Sequence, residues 1–313
     1  MSIRVSQKNV SPLPAKEGVQ ASYVWLPVGN WATLQDFLQQ RFPFVALDIW
    51  QARAAKGELQ DQRGQHLTLE MPYRAGLQVF YYRELERETP IPFQASLLHL
   101  DQHLLVVDKP HFLPVIPSGR FLQETLLVRL RKEYDLPHLA PLHRLDRETA
   151  GVVLFSHNPA SRGRYQNLFQ QRVVEKTYEA VAAPLHARDA AFPFLYASRI
   201  EQGEPFFVMQ EVAGEANAQT WIDVLARRER FWHYQLRPIT GRTHQLRVHM
   251  NALGCPILHD AFYPIALPCK GDDFATPLQL LARSVTFPDP LTGETRHFCS
   301  QRQLQVWANP SAS

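Results

Sequence analysis

The stretch VVLFSHNPASRGRYQNLFQQRVVEKTYEAVA, residues 152–182, reads as strand, helix, strand. VVLFS (152–156) is a short β-branched and aromatic run of strand length, well below that of an ordinary helix. Asn158 can accept a backbone N–H at a helix start, and Pro159 then takes the first helical position, where no N–H is needed. That helix is expected to run to about Arg172, after which KTYEAVA (176–182) returns as a strand. Outward from this core, HLLVV (103–107), TWIDVLA (220–226) and WHYQLRPI (232–239) read as further strands. Hairpin-like neighbours outnumber regular strand–helix–strand alternation. The expected fold is therefore α+β, with a mainly antiparallel mixed sheet in a catalytic domain over 96–308.

The N-terminal third has a different texture. Residues 1–31 carry no periodicity in their first part and are expected to form a flexible arm. Leu34, Phe37, Leu38 and Phe42 then draw one helical stripe, with Thr33 as its cap and Pro43 as its stop. ALDIWQARAAK forms a second helix ending at Gly57. LTLEM and LQVFYY alternate as two strands, so residues 32–83 are expected to be a small ααββ domain. RELERETPIP, within a linker over 84–95, combines a charge run with two prolines and suits an exposed connection. Residues 309–313 are expected to be a tail.

Composition narrows the function classes. The chain has 313 residues, 45% of them apolar, which suffices for two packed units. No apolar run reaches the roughly 18 residues of a membrane span, and the first 18 residues lack a signal-peptide core, so a cytoplasmic protein is expected. Cys255, Cys269 and Cys299 are too few and too irregularly spaced for a disulfide framework or a thiolate metal site, and reduced, mostly packed thiols are expected. There is no fixed-period repeat and no glycine-rich phosphate loop, which leaves a nucleotide cofactor without support. The net charge of +3 favours an anionic partner only weakly.

Three constellations can carry chemistry. In PLHRLDRETAG (141–151), Asp146 lies between Arg144 and Arg147, whose guanidiniums favour an ionised carboxylate able to act as nucleophile or base. Taken alone, that arrangement reads more readily as a surface ion pair at a strand entry. In KTYEAV (176–181), Tyr178 shares a strand face with Ala180 and Ala182 while Lys176 flanks it, leaving room for a flat ligand beside the ring. A tyrosine packed in the core is the alternative. In RPITGRTHQLRVHMNALG (237–254), Thr243 can cap a helix that Gly254 ends. Leu246, Met250 and Leu253 form its buried stripe, and His244 and Arg247 share another face, from which Arg247 can meet an acid. Residues 227–250 hold six arginines against one acid, Glu229, a density suited to phosphate contacts. His244 and His249 are spaced i, i+5 with no accompanying glutamate, so no metal is expected, and no GxSxG elbow supports a serine hydrolase.

HRLDRETAG, KTYEAV and TGRTHQLRVHMNALGCPI, in this order and at these separations, resemble the motifs of the RluA-like pseudouridine synthases. The similarity runs from about residue 97, through LLVVDKP, to LLARSVTFPDPLTG near 293. It implies that Asp146 is the catalytic aspartate, Tyr178 the tyrosine that stacks on the target base and Arg247 the basic partner of the aspartate. Arg144 then corresponds to the arginine that enters the RNA where the base has left. Arg242, Thr243, His244 and Lys176 are expected to contact substrate RNA. The implied reaction breaks the glycosidic bond of uridine, turns the uracil and rejoins it through carbon 5, without cofactor or metal. A monomer acting on ribosomal or transfer RNA is expected. The alternative is a non-catalytic RNA-binding or ribosome-assembly protein that keeps the fold.

Residues 32–83 are similar to an RNA-binding domain of ribosomal-protein-S-four type. Six basic and five acidic residues leave that module nearly neutral, so it should contribute little counterion release. The chain also departs from the family pattern. Ala150 stands where serine is usual, Phe112 and Ile116 replace Gly and His after DKP, His259 replaces Gly before Asp260, and Leu281 takes a frequent His position. These changes leave the three main residues intact and imply a different loop shape and substrate choice.

Overall fold

Each unit of the chain grows from short-range signals that its core then selects. The computed structural model describes residues 11–85, 87–185, 191–267 and 274–308. The first ten residues, one linker position, Cys269 and the 309–313 tail lie outside the described residues. The chain divides into two units, Met1–Glu88 and Thr89–Ser313.

The first unit contains β1 (Ser22–Trp25), α1 (Leu34–Arg41), α2 (Leu47–Ala55), β2 (Gln60–Asp61) and β3 (Gln78–Tyr81), with sheet order β1-β3-β2. Thr33 caps α1 by accepting from the Asp36 N–H, and the Asp36 carboxylate accepts from the Thr33 N–H in return. Leu34, Phe37 and Leu38 meet Trp50, Leu59 and Val79 in one core. Two expectations change here. The arm expected over 1–31 is not free along its described part: β1 pairs with β3, and Leu13 and Ala21 are buried against Phe80 and Tyr82. LTLEM does not form a strand. Leu67 and Leu69 do point into the core, but the Leu69 and Met71 carbonyls accept from the Gln35 and Leu34 N–H groups at the start of α1. The alternation is real, yet the backbone serves a helix end rather than a ladder.

The second unit is built on β4 (Ser96–Leu100), β5 (Leu104–Lys109), α3 (Leu126–Glu133), β6 (Ala140–Pro141), β7 (Ala150–Ser156), α4 (Pro159–Gln170) and β8 (Glu175–Ala182). It continues with β9 (Phe194–Gln202), β10 (Met209–Val212), β11 (Ala218–Arg227), β12 (Trp232–Pro238), α5 (Gln245–Ala252), β13 (Leu280–Pro288), β14 (Thr295–Cys299) and α6 (Gln305–Ala308). The main path of its sheet is β10-β9-β11-β12-β8-β13-β7-β5-β4; β14 adds to β13 and β6 to β7. Among the described residues every strand pairing is antiparallel except β13 with β7, so the sheet is mixed and mainly antiparallel.

Burial on both faces explains the unbroken apolar runs. Leu104, Val106, Val152 and Leu154 pack on Tyr165 and Leu168 of α4, whereas Leu105, Val107, Val153 and Phe155 pack on Leu126, Leu127 and Leu130 of α3. Asn158 caps α4 by accepting from the Ala160 N–H. The linker is less free than its composition suggests. Ile91 is buried among α3 residues, its N–H donates to Glu124, and its carbonyl accepts from Arg129. The two prolines spare backbone N–H groups, and those two side chains satisfy Ile91, which lets this segment lie against the core.

Register sets up the site. Tyr178 on β8 lies opposite Leu236 of β12 on one side and Ala282 of β13 on the other, and Ala282 lies beside Gly151 of β7. The chain before Gly151, carrying Asp146, is thereby held two strands from Tyr178. Gly151 has φ +117°, and a Cβ there would fall 2.2 Å from the Ala282 carbonyl oxygen. Only glycine permits this close approach.

Candidate active site

Asp146 lies in the loop between β6 and β7, where its carbonyl accepts from the Thr149 N–H at 3.2 Å. The loop is held from beneath by Lys109, which is fully buried at the end of β5. Its Nζ donates to the carbonyls of Pro110 at 3.0 Å, Leu113 at 2.8 Å and Arg147 at 3.1 Å. Burial pulls the Lys109 pKa down to about 7, against the pull of the Glu148 and Asp146 charges. His111 Nδ1 donates to the Glu148 carbonyl at 2.6 Å, and burial lowers its pKa to about 4.

Arg247 comes from α5. Its side chain is only 1% exposed, and two carboxylates share its guanidinium. Nε and Nη2 donate to Asp260 at 2.7 and 2.6 Å in a fork, and Nη1 donates to Asp146 Oδ2 at 3.2 Å. Glu148 Oε2 stands 3.8 Å from Nη1, and the Phe262 ring lies under the guanidinium at 4.7 Å. Burial alone would lower the Arg247 pKa, but the Asp260 bonds and the three carboxylate charges outweigh it and raise it. The Asp146 side chain keeps 28% exposure, so one partner of this arginine is sealed and the other faces solvent.

The start of α5 differs from its expected form. Thr243 does not cap it; His244 takes the capping position with φ +53° and makes no side-chain cap bond. Gln245 does the organising instead. Its Oε1 accepts from the Arg242 N–H and the Thr240 hydroxyl, while Nε2 donates to the Gln219 carbonyl and Thr220 hydroxyl. This network turns the chain after β12 without a hydroxyl at position 243. The helix is also buried on more than one stripe, from Gln245 through Met250. Arg247 is consequently an interior residue, not one on a free face.

These elements surround a cavity of about 680 Å³, a size that accommodates small ligands. Asp146, Tyr178, Arg247, Arg144, Arg242, Thr243, His244 and Lys176, the eight residues singled out from sequence, all line it. Arg144, Arg242 and Thr243 are exposed at its wall, and a Cβ on Gly241 would meet the Lys176 Nζ at 3.8 Å. Burial lowers the Lys176 pKa, and burial followed by the Asp146 charge raises that of Tyr178. Tyr178 packs against both large cores of the unit, which fixes its ring. Arg147 and Arg172 add to the basic lining, and among the described residues Asp146 is its sole carboxylate, so the cavity attracts an anionic ligand around one negative centre. Among the described residues no group of His, Cys, Asp or Glu could hold a metal ion.

The family of RNA pseudouridylate synthases matches residues 103–252. An uncharacterised RNA pseudouridine synthase of Synechocystis is 30% identical over 241 residues, covering 73% of this chain and 78% of that one. The dual-specificity RNA pseudouridine synthase RluA of Yersinia pestis is 36% identical over 205 residues, 64% of this chain and 96% of that one. The chain belongs to the RluA-like pseudouridine synthases. Its activity is accordingly that of an RNA pseudouridine synthase. Human pseudouridylate synthase RPUSD2 is 33% identical, but this chain spans only 38% of its length. Among solved structures, human RNA pseudouridylate synthase domain containing 4 aligns with TM-score 0.51 and 27% identity, over 68% of this chain and 89% of that one.

Sequence reasoning missed how much of the synthase site lies outside its motifs. Asp260, Glu148, Lys109 and Tyr263 received no role. Asp260 follows Arg247 by thirteen positions across a helix end and a turn, a separation without any periodic signature. The available signal was electrostatic: an interior arginine needs more compensation than one exposed carboxylate provides. Cysteine usage also differs in part. Cys255 is buried, with its thiol pKa pushed up to about 12, whereas Cys299 is exposed because it ends β14, the added strand beside β13. Among the described residues no helix is long and apolar enough to cross a membrane.

Proposed function

We propose that this synthase isomerises specific uridines in structured ribosomal or transfer RNA, as a cytoplasmic monomer, with Asp146 as the catalytic carboxylate. The observation that carries this reading is the 3.2 Å contact between Arg247 and Asp146, residues 101 positions apart, at a basic cavity also lined by Tyr178. Uridine and pseudouridine contain the same atoms, so the isomerisation consumes no co-substrate. The bond from C1′ to N1 breaks, the uracil turns, and a bond from C1′ to C5 forms while C5 loses a proton and N1 gains one. Arg247, itself anchored on Asp260, holds the Asp146 carboxylate against the reacting sugar and base.

A base inside folded RNA must leave its stack to reach such a cavity. Tyr178 offers the ring that receives it, and Arg144 at the rim fills the vacated place in the RNA. Arg242, Thr243, His244 and Lys176 contact the flanking phosphates and the nucleotide. The small N-terminal unit assists RNA binding only modestly, given its near-neutral charge.

The test is Asp146→Asn, which keeps shape and removes charge and nucleophilicity. Pseudouridine mapping of ribosomal and transfer RNA from cells carrying either form should show one or more sites lost in the variant. RNA affinity should stay within about threefold, since no phosphate contact is removed. Full conversion by Asp146→Asn overturns the assignment.

A further inference from the structure

We propose that His244 is a fixed N–H donor for the uridine held against Asp146, and that Tyr263 is the positioning residue that sets its tautomer. This deepens the assignment of Asp146 above and rests on it.

The Tyr263 hydroxyl is met by a group whose hydrogen-bonding role is not adjustable. The Met209 backbone N–H can only donate, and it does so to the Tyr263 Oη at 2.9 Å. His244 Nδ1 lies 3.0 Å from the same oxygen. The hydroxyl has one hydrogen to place, and with its oxygen already accepting from Met209, His244 Nδ1 is the acceptor within reach among the described residues. The arrangement that gives the buried hydroxyl hydrogen a partner leaves the lone pair on Nδ1. In the neutral ring the hydrogen then sits on Nε2.

The rest of the geometry holds that ring in place. His244 is in the left-handed region, φ +53°, uncommon for a residue with a side chain and frequent at sites under functional constraint. Its ring stacks on Phe262 with centroids 5.2 Å apart and meets Tyr263 edge-on at 5.9 Å. The side chain is 9% exposed. Burial lowers the His244 pKa, and Arg247 acts in the same direction. Asp146, Glu148 and Asp260 oppose them without reversing the shift, so the neutral ring prevails at neutral pH.

Nε2 stands 3.9 Å from Asp146 Oδ2, too far for a hydrogen bond between them. The N–H is consequently available to an oxygen seated beside the carboxylate, either a uracil carbonyl or a ribose hydroxyl. The uracil carbonyl gives it a chemical use. When the bond from C1′ to N1 breaks, its electron pair leaves with the uracil and spreads onto the ring oxygens. A fixed N–H donor stabilises that charge without transferring a proton. The pair returns to carbon when the new bond from C1′ to C5 forms.

Nitrogen NMR of the full chain with labelled histidine tests the tautomer directly. His244 should show an unprotonated Nδ1 and a protonated Nε2, and Tyr263→Phe should mix the two tautomers. Single-turnover kinetics on a substrate RNA test the use. Tyr263→Phe and His244→Leu should lower kcat about tenfold or more with KM little changed, and His244→Gln, whose amide N–H can replace Nε2–H, should recover much of the loss. A protonated Nδ1 in the native protein, or a native kcat in folded His244→Leu, overturns the proposal. If His244→Leu does not fold, the Tyr263→Phe tautomer and kcat decide. Activity retained by Asp146→Asn would instead overturn the reading beneath it, so the two failures are distinguishable.

Discussion

Arg247 divides its charge between a sealed carboxylate and an open one, which makes stability and activity separable at two aspartates. The Asp260 side chain is 0% exposed, forms the fork with Arg247, and also accepts from the Phe262 N–H at 2.8 Å and the Tyr263 N–H at 3.3 Å. In Asp260→Asn one oxygen of the fork becomes an N–H donor facing a guanidinium that is almost wholly buried. Breaking one side of a buried, hydrogen-bonded ion pair costs about 3–5 kcal/mol. For a domain of this size each kcal/mol is worth roughly 2–4 °C, so the larger unit should melt about 6–20 °C lower. Asp146→Asn removes only the 3.2 Å contact of a carboxylate that is 28% exposed, while Arg247 keeps Asp260. It should cost under about 1 kcal/mol and yet abolish conversion. Calorimetry of the full chain, following the transition of larger enthalpy, together with conversion of a substrate RNA, reads both effects. Equal destabilisation by the two variants, or an unchanged melting temperature in Asp260→Asn, would refute the division of labour.

Other perturbations probe separate parts of the molecule. Tyr178→Phe should bind substrate RNA as the native chain does, whereas Tyr178→Leu should lose about 1–3 kcal/mol of binding; equal affinities would remove the stacking role. Gly151→Ala places a methyl group 2.2 Å from the Ala282 carbonyl at φ +117°, and should cost about 3 kcal/mol or more, visible as lost soluble protein or a lowered melting temperature. Glu179 accepts from Arg283 and His233, which outweigh burial and depress its pKa to about 2. A depressed carboxyl is ionised in the folded state where the unfolded one is already protonated, so its stabilisation is full above about 4.5 and fades as pH falls toward about 2. Glu179→Gln should flatten the fall in stability across that window; Asp101, also near 2, will leave part of the slope in place.

Legibility followed the range of the interaction. The α4 helix was readable because Asn158 and Pro159 act within two residues of the cap they form, and β5 and β7 because burial on both faces leaves an unbroken apolar run. LTLEM misled because the same alternation fits a segment whose carbonyls cap α1. β13 was not read as a strand although it joins β7 to β8, since its pairings with residues 131 positions and 100 to 111 positions away leave no local trace. Eight site residues were readable through motif order, and all line one cavity; the groups that hold them were not.

Those unread groups share one property: each acts on a partner through a bond that has no characteristic spacing. Lys109 gives its three hydrogens to carbonyls 1, 4 and 38 positions away, and the last belongs to Arg147 beside Asp146. Asp260 reaches back thirteen positions to Arg247, and Tyr263 nineteen to His244. Motif residues form recognisable strings, whereas supporting residues need only arrive at the correct point in space, by whatever chain path the loops allow. Of the departures from the family pattern, Ile116 lines the cavity itself, whereas Phe112 lies in that supporting layer. Phe112 occupies φ +66° where glycine is usual, and its ring packs against both Phe93 and Phe274 with the Arg147 guanidinium 5.7 Å above it. The strain of a side chain there is offset by aromatic contacts that glycine could not make, and those contacts shape the wall next to Asp146.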